Sequence, residues 1–498
     1  MNVKQILNFL DPKYQNLPKI NLNKSWKQYE KINIPVFEGE EKEIKKLFPC
    51  LGKVDFSGKS GELKEVLCNK QVFWLHGMGE KEKMTNRKIR RLFGKLYLGA
   101  LAGKPKNIVI YSDPEWLELA GLAIHVAALD TKMFKGKQDK KNAPPEVVLV
   151  HKALSDAHLR LIKKGTNAAE AKNLMRILGT IPPNRLSTTV YAEVIKKLAK
   201  QWKLKCKQCS KRELQKYELL NAVSLGSVHD SHLLVITIPV KSKVKKETAV
   251  IGKGLCFDSG GLIGKQNYMN DMKLDMSGSA AVLGCLLDIV KNKKKLTRTT
   301  HFLLPLAENM MGSKAMRTDD VYTTGDGQTV EIKHTDAEGR LVLADAICYA
   351  KNNYKNVDEF YTIATLTGSC VVALGDLYTG VICNDEDLSK KITENGKITG
   401  DLMHVAPWDL EFDDNNSNFA NMANVGEKDR DAGWIKAGLF MYRFVPKKDK
   451  KKKITKDAKF CHIDIAGSID MHEGGKAWRK KGFSSGVAVT FLSEMITK

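Results

Sequence analysis

The sequence predicts an α/β protein in two parts: a small N-terminal α/β domain over residues 1–154 and a larger C-terminal α/β/α domain with a central mixed sheet over 178–498, joined by a helix over 155–177. Three observations predict it. Short apolar runs alternate with amphipathic stretches, the pattern of strands crossing over through helices. The residues that could carry chemistry fall just after apolar runs, where open α/β sheets place their ligands. A length of 498 residues, 43% hydrophobic and 28% charged, leaves room for two or more globular domains.

In the first domain, strand-like runs at Gln71–Leu75, Asn107–Tyr111 and Val147–Val150 alternate with helical spacing at Arg87–Ala102 and Glu115–Leu129. The polar stretch Lys135–Asn142, followed by Ala143-Pro144-Pro145, is a loop before the last of these strands. Continuous helical spacing over Ser155–Met175 suits the connecting helix. Beyond Pro182-Pro183-Asn184, strands are expected at His232–Ile238, Thr248–Phe257, His301–Leu306, Glu359–Thr365 and Phe460–Ile465. No internal repeat is visible.

No apolar run reaches membrane-spanning length, so no membrane partner is expected. Met1–Ile34 has neither the apolar core of a signal peptide nor the Arg- and Ser-rich composition of a transit peptide. A cytoplasmic address is the expectation, with mitochondria left open. Cysteines such as Cys256, Cys285, Cys348, Cys370, Cys383 and Cys461 sit in apolar segments and read as small buried side chains, not a disulfide framework. Cys206-Lys207-Gln208-Cys209 has metal-like spacing but no second pair of ligands follows it.

A formal charge of +24 allows an anionic partner. The lysines are scattered, and the densest group, within 447–453, reads first as a solvated loop and second as a nucleic-acid contact. No aromatic residue is interleaved there for base stacking.

The chemistry concentrates in the second domain. In His334-Thr335-Asp336-Ala337-Glu338-Gly339-Arg340-Leu341, alternating side chains of an extended segment share a face, so Asp336 and Glu338 converge on one cation if the chain is extended there. Leu341, Ala344, Asp345 and Cys348 then repeat at helical spacing, which puts Arg340 in a first helical turn as an anion anchor. Taken alone, the run also fits a solvated turn.

Upstream, Lys253 lies in the strand and Asp258 at its glycine turn. Five is an odd spacing, so for both to bind metal the strand must bend or bulge near Gly254. A lysine ligand must also be neutral, which costs about 5 kcal/mol at pH 7 unless a dication offsets it. Asp275 opens a small-residue helix start, either as a ligand or as an N-cap. Asp258, Asp275, Asp336 and Glu338 supply four carboxylates, enough for a pair of divalent cations and hydrolysis by a bridging water. Lys265 would donate to the oxyanion or is a surface lysine. There is no nucleophile elbow and no His-Glu-x-x-His helix.

These residues resemble the leucyl aminopeptidase family, also called cytosol aminopeptidases, whose signature Asn-Thr-Asp-Ala-Glu-Gly-Arg-Leu is matched at 334–341 in all but the first position. The likeness extends over Val250–Asp275, Pro305–Asn309, Ala364–Gly368 and His462–Gly467, and is closest to the probable-aminopeptidase branch. It implies release of N-terminal residues from peptides by a homohexamer whose C-terminal domains are catalytic. By position it implies that Lys253, Asp258, Asp275, Asp336 and Glu338 hold two divalent ions, zinc with manganese or magnesium at one site. Lys265 and Arg340 would be catalytic, Arg340 anchoring bicarbonate. Met272, Thr365, Leu366, Gly368 and Phe483 would contact substrate.

Three departures stand out: His334 in place of asparagine, a Lys265–Asp275 segment one residue short, and Phe483 in place of a methionine. A second reading keeps the fold and makes the chain a structural or nucleic-acid-associated protein acting through its basic surface.

Overall fold

A computed structural model describes residues 2–130, 134, 143–241, 246–428, 431–449, 456–469 and 484–497. Lys135–Asn142, Phe483 and much of the 447–453 lysine group lie outside the described residues. The described chain divides into two compact units, residues 11–170 and residues 2–10 with those from 171 onward; the break falls inside the helix Leu159–Leu178.

The smaller unit holds strands β1 (Ile20–Asn23), β2 (Lys31–Val36), β3 (Leu63–Cys68), β4 (Gln71–Gly77), β5 (Asn107–Tyr111) and β6 (Glu146–Val150). Their order is β1-β6-β5-β2-β4-β3, parallel except for β3 against β4. Central strands are buried on both faces, as parallel strands must be. In β5, Ile108 and Ile110 join the cluster of Phe93 and Leu117, while Val109 and Tyr111 join that of Ile44 and Phe48. β3 is an edge strand whose Leu63, Glu65 and Leu67 face outward, and its half-polar alternation hid it among the surrounding loops.

The larger unit holds β7 (Cys206–Gln208), β8 (His232–Ile238), β9 (Glu247–Gly252), β10 (Gly254–Asp258), β11 (Thr299–Asn309), β12 (Val321–Thr323), β13 (Thr329–Glu331), β14 (Val357–Ala364), β15 (Thr379–Cys383), β16 (Met403–Val405), β17 (Met422–Ala423) and β18 (Lys459–Asp464). The main sheet is mixed, in the order β16-β15-β18-β14-β9-β11-β8-β7, with β10 continuing beside β11. Strands β18, β14, β9 and β11 run parallel in its centre.

One face of this sheet packs Ala249, Ile251, Leu303 and Phe360 against Leu341, Ile347 and Phe440 of flanking helices. The helix Ser277–Asn292 covers β9 and β14 and packs on Val489–Thr497. A separate small sheet, β12-β13-β17, pairs Val330 and Glu331 with Met422 and Ala423. The fold is thus the two-part α/β architecture expected, with a mixed sheet in the larger part.

Cys206 and Cys209 are separated by an odd number of positions on an extended segment, which turns them to opposite faces. Neither is disulfide-bonded, in keeping with free cysteines throughout the described chain.

Candidate active site

The carboxyl ends of the central parallel strands carry the polar residues of the site, and the local backbone explains how they meet. The run predicted as one strand over Thr248–Phe257 is two. β9 ends at Gly252, β10 begins at Gly254, and the register against β11 shifts between Leu255 and Asp258. This break and bulge remove the odd-spacing problem, and both Lys253 and Asp258 turn into the same buried region.

The helix that follows Asp275 comes unusually close to the sheet. A Cβ on Gly278 would lie 2.2 Å from the Ile363 carbonyl oxygen and 2.8 Å from the Lys253 nitrogen. Instead the Ser279 N–H donates to the Lys253 carbonyl and the Lys253 N–H to the Ile363 carbonyl. Asp275 is not this helix's N-cap: Met276 occupies that position, and the Asp275 side chain accepts from Thr365 Oγ1 at 2.7 Å instead.

The segment expected to be extended over 334–338 is a turn. The Ala337 N–H donates to the His334 carbonyl at 3.2 Å, and Glu338 has helical backbone angles at the start of the helix Gly339–Asn353. The reason lies in the strand before it: β13 stops at Glu331, so no ladder continues to hold residues 333–338 straight. The turn separates the two acids. Glu338 joins Asp258 and Asp275 in a buried group whose ligand oxygens lie within 4.8 Å of one another, and Asp336 stands outside that group.

Lys253 reaches into the group with its Nζ 2.8 Å from Asp275, 3.0 Å from Glu338 and 3.0 Å from the Thr365 carbonyl. A Cβ on Gly339 would lie 2.5 Å from that Nζ, so any side chain there would make the Lys253 amine shift. Lys265 bridges Asp258 at 2.6 Å and Asp336 at 2.5 Å. Arg340 is buried in the first helical turn and donates to the Asn424 carbonyl at 2.7 Å. Thr365 and Leu366 are half-buried just beyond β14, Gly368 is exposed, and Met272 is half-buried in the short helix Met269–Leu274.

The charges are uneven. Burial alone would lower the pKa of Lys253, but Asp275, Glu338 and Asp258 outweigh it and hold the ammonium well above its ordinary value. The same contest raises Lys265, where Glu338 and Asp258 dominate over burial. Burial pushes the Asp258 and Asp275 carboxyls upward, and the neighbouring carboxylates push them further. Glu338 is also penalised by burial, yet Lys253 and Lys265 bring it below the usual range. Asp275 Oδ2 and Glu338 Oε2 are buried without a hydrogen-bond partner. Orphaned, closely spaced carboxylate oxygens are the donor set that a hard or borderline cation fits.

Three further residues organise the site and were not singled out from sequence. Asn309 donates to Asp258 Oδ1 at 2.8 Å and to the Thr335 carbonyl at 3.1 Å. Thr335 donates to the Gly260 carbonyl at 2.7 Å and accepts from the Ile263 N–H, joining the two acid-bearing loops. Asp464 accepts from the Leu366 N–H and from Thr367 Oγ1, fixing the chain beyond β14. The signal for Asn309 was the full length of β11, which runs three residues past the predicted Leu306 and sets Asn309 opposite Asp258. His334 Nδ1 accepts from the Asp336 N–H at 3.2 Å, a turn contact that an asparagine side chain also makes.

A sequence profile of the cytosol aminopeptidase family, catalytic domain, matches residues 173–493. The chain belongs to the cytosol aminopeptidase family. Among curated family members, the probable cytosol aminopeptidase of Sulfurihydrogenibium sp. (strain YO3AOP1) is 33% identical over 439 residues, 85% of this chain and 83% of that protein. That of Aquifex aeolicus (strain VF5) is 32% identical over 451 residues, 87% of each. A match to that of Aromatoleum aromaticum reaches 37% but spans 67% of this chain and 64% of the relative.

Among solved structures, the bottromycin maturation enzyme BotP in complex with Mn superposes with a TM-score of 0.77 at 26% identity, covering 94% of this chain and 99% of that one. A tomato leucine aminopeptidase mutant shares the fold, with a TM-score of 0.79 at 24% identity over 97% of both chains. The cytosol aminopeptidase catalytic domain thus contains every candidate ligand, from Lys253 to Glu338.

Proposed function

We propose that this cytosol aminopeptidase family member releases N-terminal residues from peptides by two-metal hydrolysis. The observation that carries the reading is the grouping of Asp258, Asp275 and Glu338 around Lys253, with two buried carboxylate oxygens left without partners. Asp336 makes a fourth carboxylate nearby, and four negative charges match two dications, whereas the ammoniums of Lys253 and Lys265 offset only half. Family likeness and a manganese complex of a structural neighbour support the same conclusion.

On this reading Lys253, as a neutral amine, and Asp258, Asp275, Asp336 and Glu338 hold the ions, zinc with manganese or magnesium at one site. When bound, such a pair supplies a Lewis acid for the scissile carbonyl and acidity for a water. Lys265 stays protonated and donates to the oxygen that gains charge as the carbonyl is attacked. Arg340 would hold an anion, bicarbonate, which when bound would supply a general base. Thr365, Leu366 and Gly368 border the peptide's first residue, with Met272 and Phe483 shaping the space for its side chain.

The reading extends to a homohexamer, as the resemblance implies, acting in the cytoplasm, in line with the word cytosol in the names of its relatives. The formal charge of +24 supports an additional anionic contact. Among the described residues of the larger unit, no specific contact favours a purely structural role. Among the described residues, no helix is long and apolar enough to cross a membrane.

The test uses the full chain, stripped with a chelator and resupplied with Mn²⁺ or Zn²⁺, acting on leucyl p-nitroanilide. Metal-dependent release by the wild type that Glu338→Ala lacks is the expected result. Equal rates in the two proteins, or no release by either, overturn the reading.

A further inference from the structure

Asn424 follows the two-residue strand β17, far in sequence from any acid of the site, and is fully buried. Its backbone N–H donates to the Glu331 carbonyl at 3.0 Å, which continues the β13–β17 pairing by one step. Past that point Ile332 still pairs with Asp319 and Asp320, but residues 333–338 have no strand beside them. Their backbone groups still need partners, because unpaired polar groups are costly away from water.

The Asn424 side chain supplies partners for four of them. Its Oδ1 accepts from the Lys333 N–H at 2.8 Å and the His334 N–H at 3.2 Å. Its Nδ2 donates to the His334 carbonyl at 2.7 Å and the Ala337 carbonyl at 3.5 Å. A single carboxamide thus reads both ends of the turn that lies between β13 and Glu338. Its own main-chain carbonyl accepts from Arg340 Nη1 at 2.7 Å. Only a short side chain with two acceptor lone pairs and two donors can do this: aspartate lacks the donors, and serine cannot span the turn.

We propose that Asn424 is a positioning residue, which fixes the turn 334–337 through its side chain and aims the Arg340 guanidinium through its backbone. The two tasks are linked. Arg340 and Glu338 lie in one helical start, and that start is reached through the turn that Asn424 holds. Movement of the turn shifts the carboxylate and the guanidinium together. The role of Arg340 as an anion anchor rests on the proposed function above, whereas the hold on the turn does not.

The experiment compares the full-length wild type with Asn424→Asp, which keeps size and acceptors, and Asn424→Ala, which removes both. Its first arm is hydrogen exchange by mass spectrometry on peptides covering 331–338 and 247–252. We expect exchange in 331–338 to quicken by about tenfold or more in Asn424→Ala while the β9 peptide is unchanged, the signature of local opening. No change in 331–338, or equal quickening in both peptides, overturns the proposal.

The second arm is Mn²⁺-dependent leucyl p-nitroanilide hydrolysis. Asn424→Asp is expected to lower kcat by about 10–100-fold, the usual scale for a group that orients a site residue, with little change in KM. In an Arg340→Ala background the same substitution should cost severalfold less than in the wild type, because only the part of the loss that acts through Glu338 remains. Equal losses in both backgrounds mean a general structural role and overturn the positioning claim. If no variant or wild type hydrolyses the substrate, the functional reading fails while the exchange arm still decides whether Asn424 holds the turn.

Discussion

Lys253 Nζ and Glu338 Oε1 lie 3.0 Å apart with both side chains almost wholly shielded from solvent. Such a pair is weak evidence for stability, but removing one partner strands the other charge. Lys253→Met should therefore destabilise chelator-treated protein by about 3–5 kcal/mol. Urea denaturation measures this directly, and a loss below about 1 kcal/mol, the scale of an exposed pair, would show that the carboxylates are otherwise neutralised.

Metal binding should be visible without turnover. Adding Mn²⁺ or Zn²⁺ at about 100 times its dissociation constant should stabilise the wild type by about 2.7 kcal/mol against unfolding. Asp275→Asn removes one ligand from the buried group and should reduce that gain. A metal-induced rise in Tm that is equal in both proteins would place the ions elsewhere.

Lys265 is the cation that links Asp258 to Asp336. If it donates to the developing oxyanion, Lys265→Met should lower kcat by about 10²–10³-fold with a much smaller effect on KM. Steady-state kinetics separates the two, and a change confined to KM would assign Lys265 to ground-state binding.

The close approach at Gly278 should make it intolerant of any side chain. In Gly278→Ala the new methyl meets the Ile363 backbone carbonyl oxygen at 2.2 Å, an atom that cannot swing aside, so the helix must move. A cost of about 1–3 kcal/mol or more is expected in urea unfolding. Metal affinity should fall with it, since Asp275 immediately precedes that helix.

Burial lowers His76 in the smaller unit from 6.5 to about 4, with its ring hydrogen-bonded to Asn33. The unfolded state binds the proton more tightly, so the stabilising contribution is complete above pH 6.5 and is lost as pH falls through about 4. The change amounts to about 3 kcal/mol across that window. His76→Gln should flatten the acid limb of the stability curve. An unaltered limb would show that His76 keeps its proton affinity on folding.

How much was legible in the sequence depended on whether position along the chain or pairing across it carried the information. The buried strands β5, β6, β8 and β14 announced themselves by continuous apolar runs, and Arg340 was placed in its helix by the spacing of Leu341, Ala344 and Cys348. The break at Lys253 was legible as a requirement, since two groups five residues apart cannot share a face of a straight strand. The turn at 334–337 was not, because alternation along a short run looks the same whether or not a neighbouring strand holds it extended. Asn424 and Asp464 were hidden for a related reason: each acts on a backbone that only the finished fold brings near.

The last strand among the described residues, β18, lies between β15 and β14 in the main sheet. A ribosome-bound chain that has not yet released Asp464 therefore exposes two unfilled edges where its centre should be, and the residues that Asp464 anchors beyond β14 have nothing to rest on. Closure of the main sheet therefore waits until β18 is available, and until then those two edges stay open to pairing with other chains.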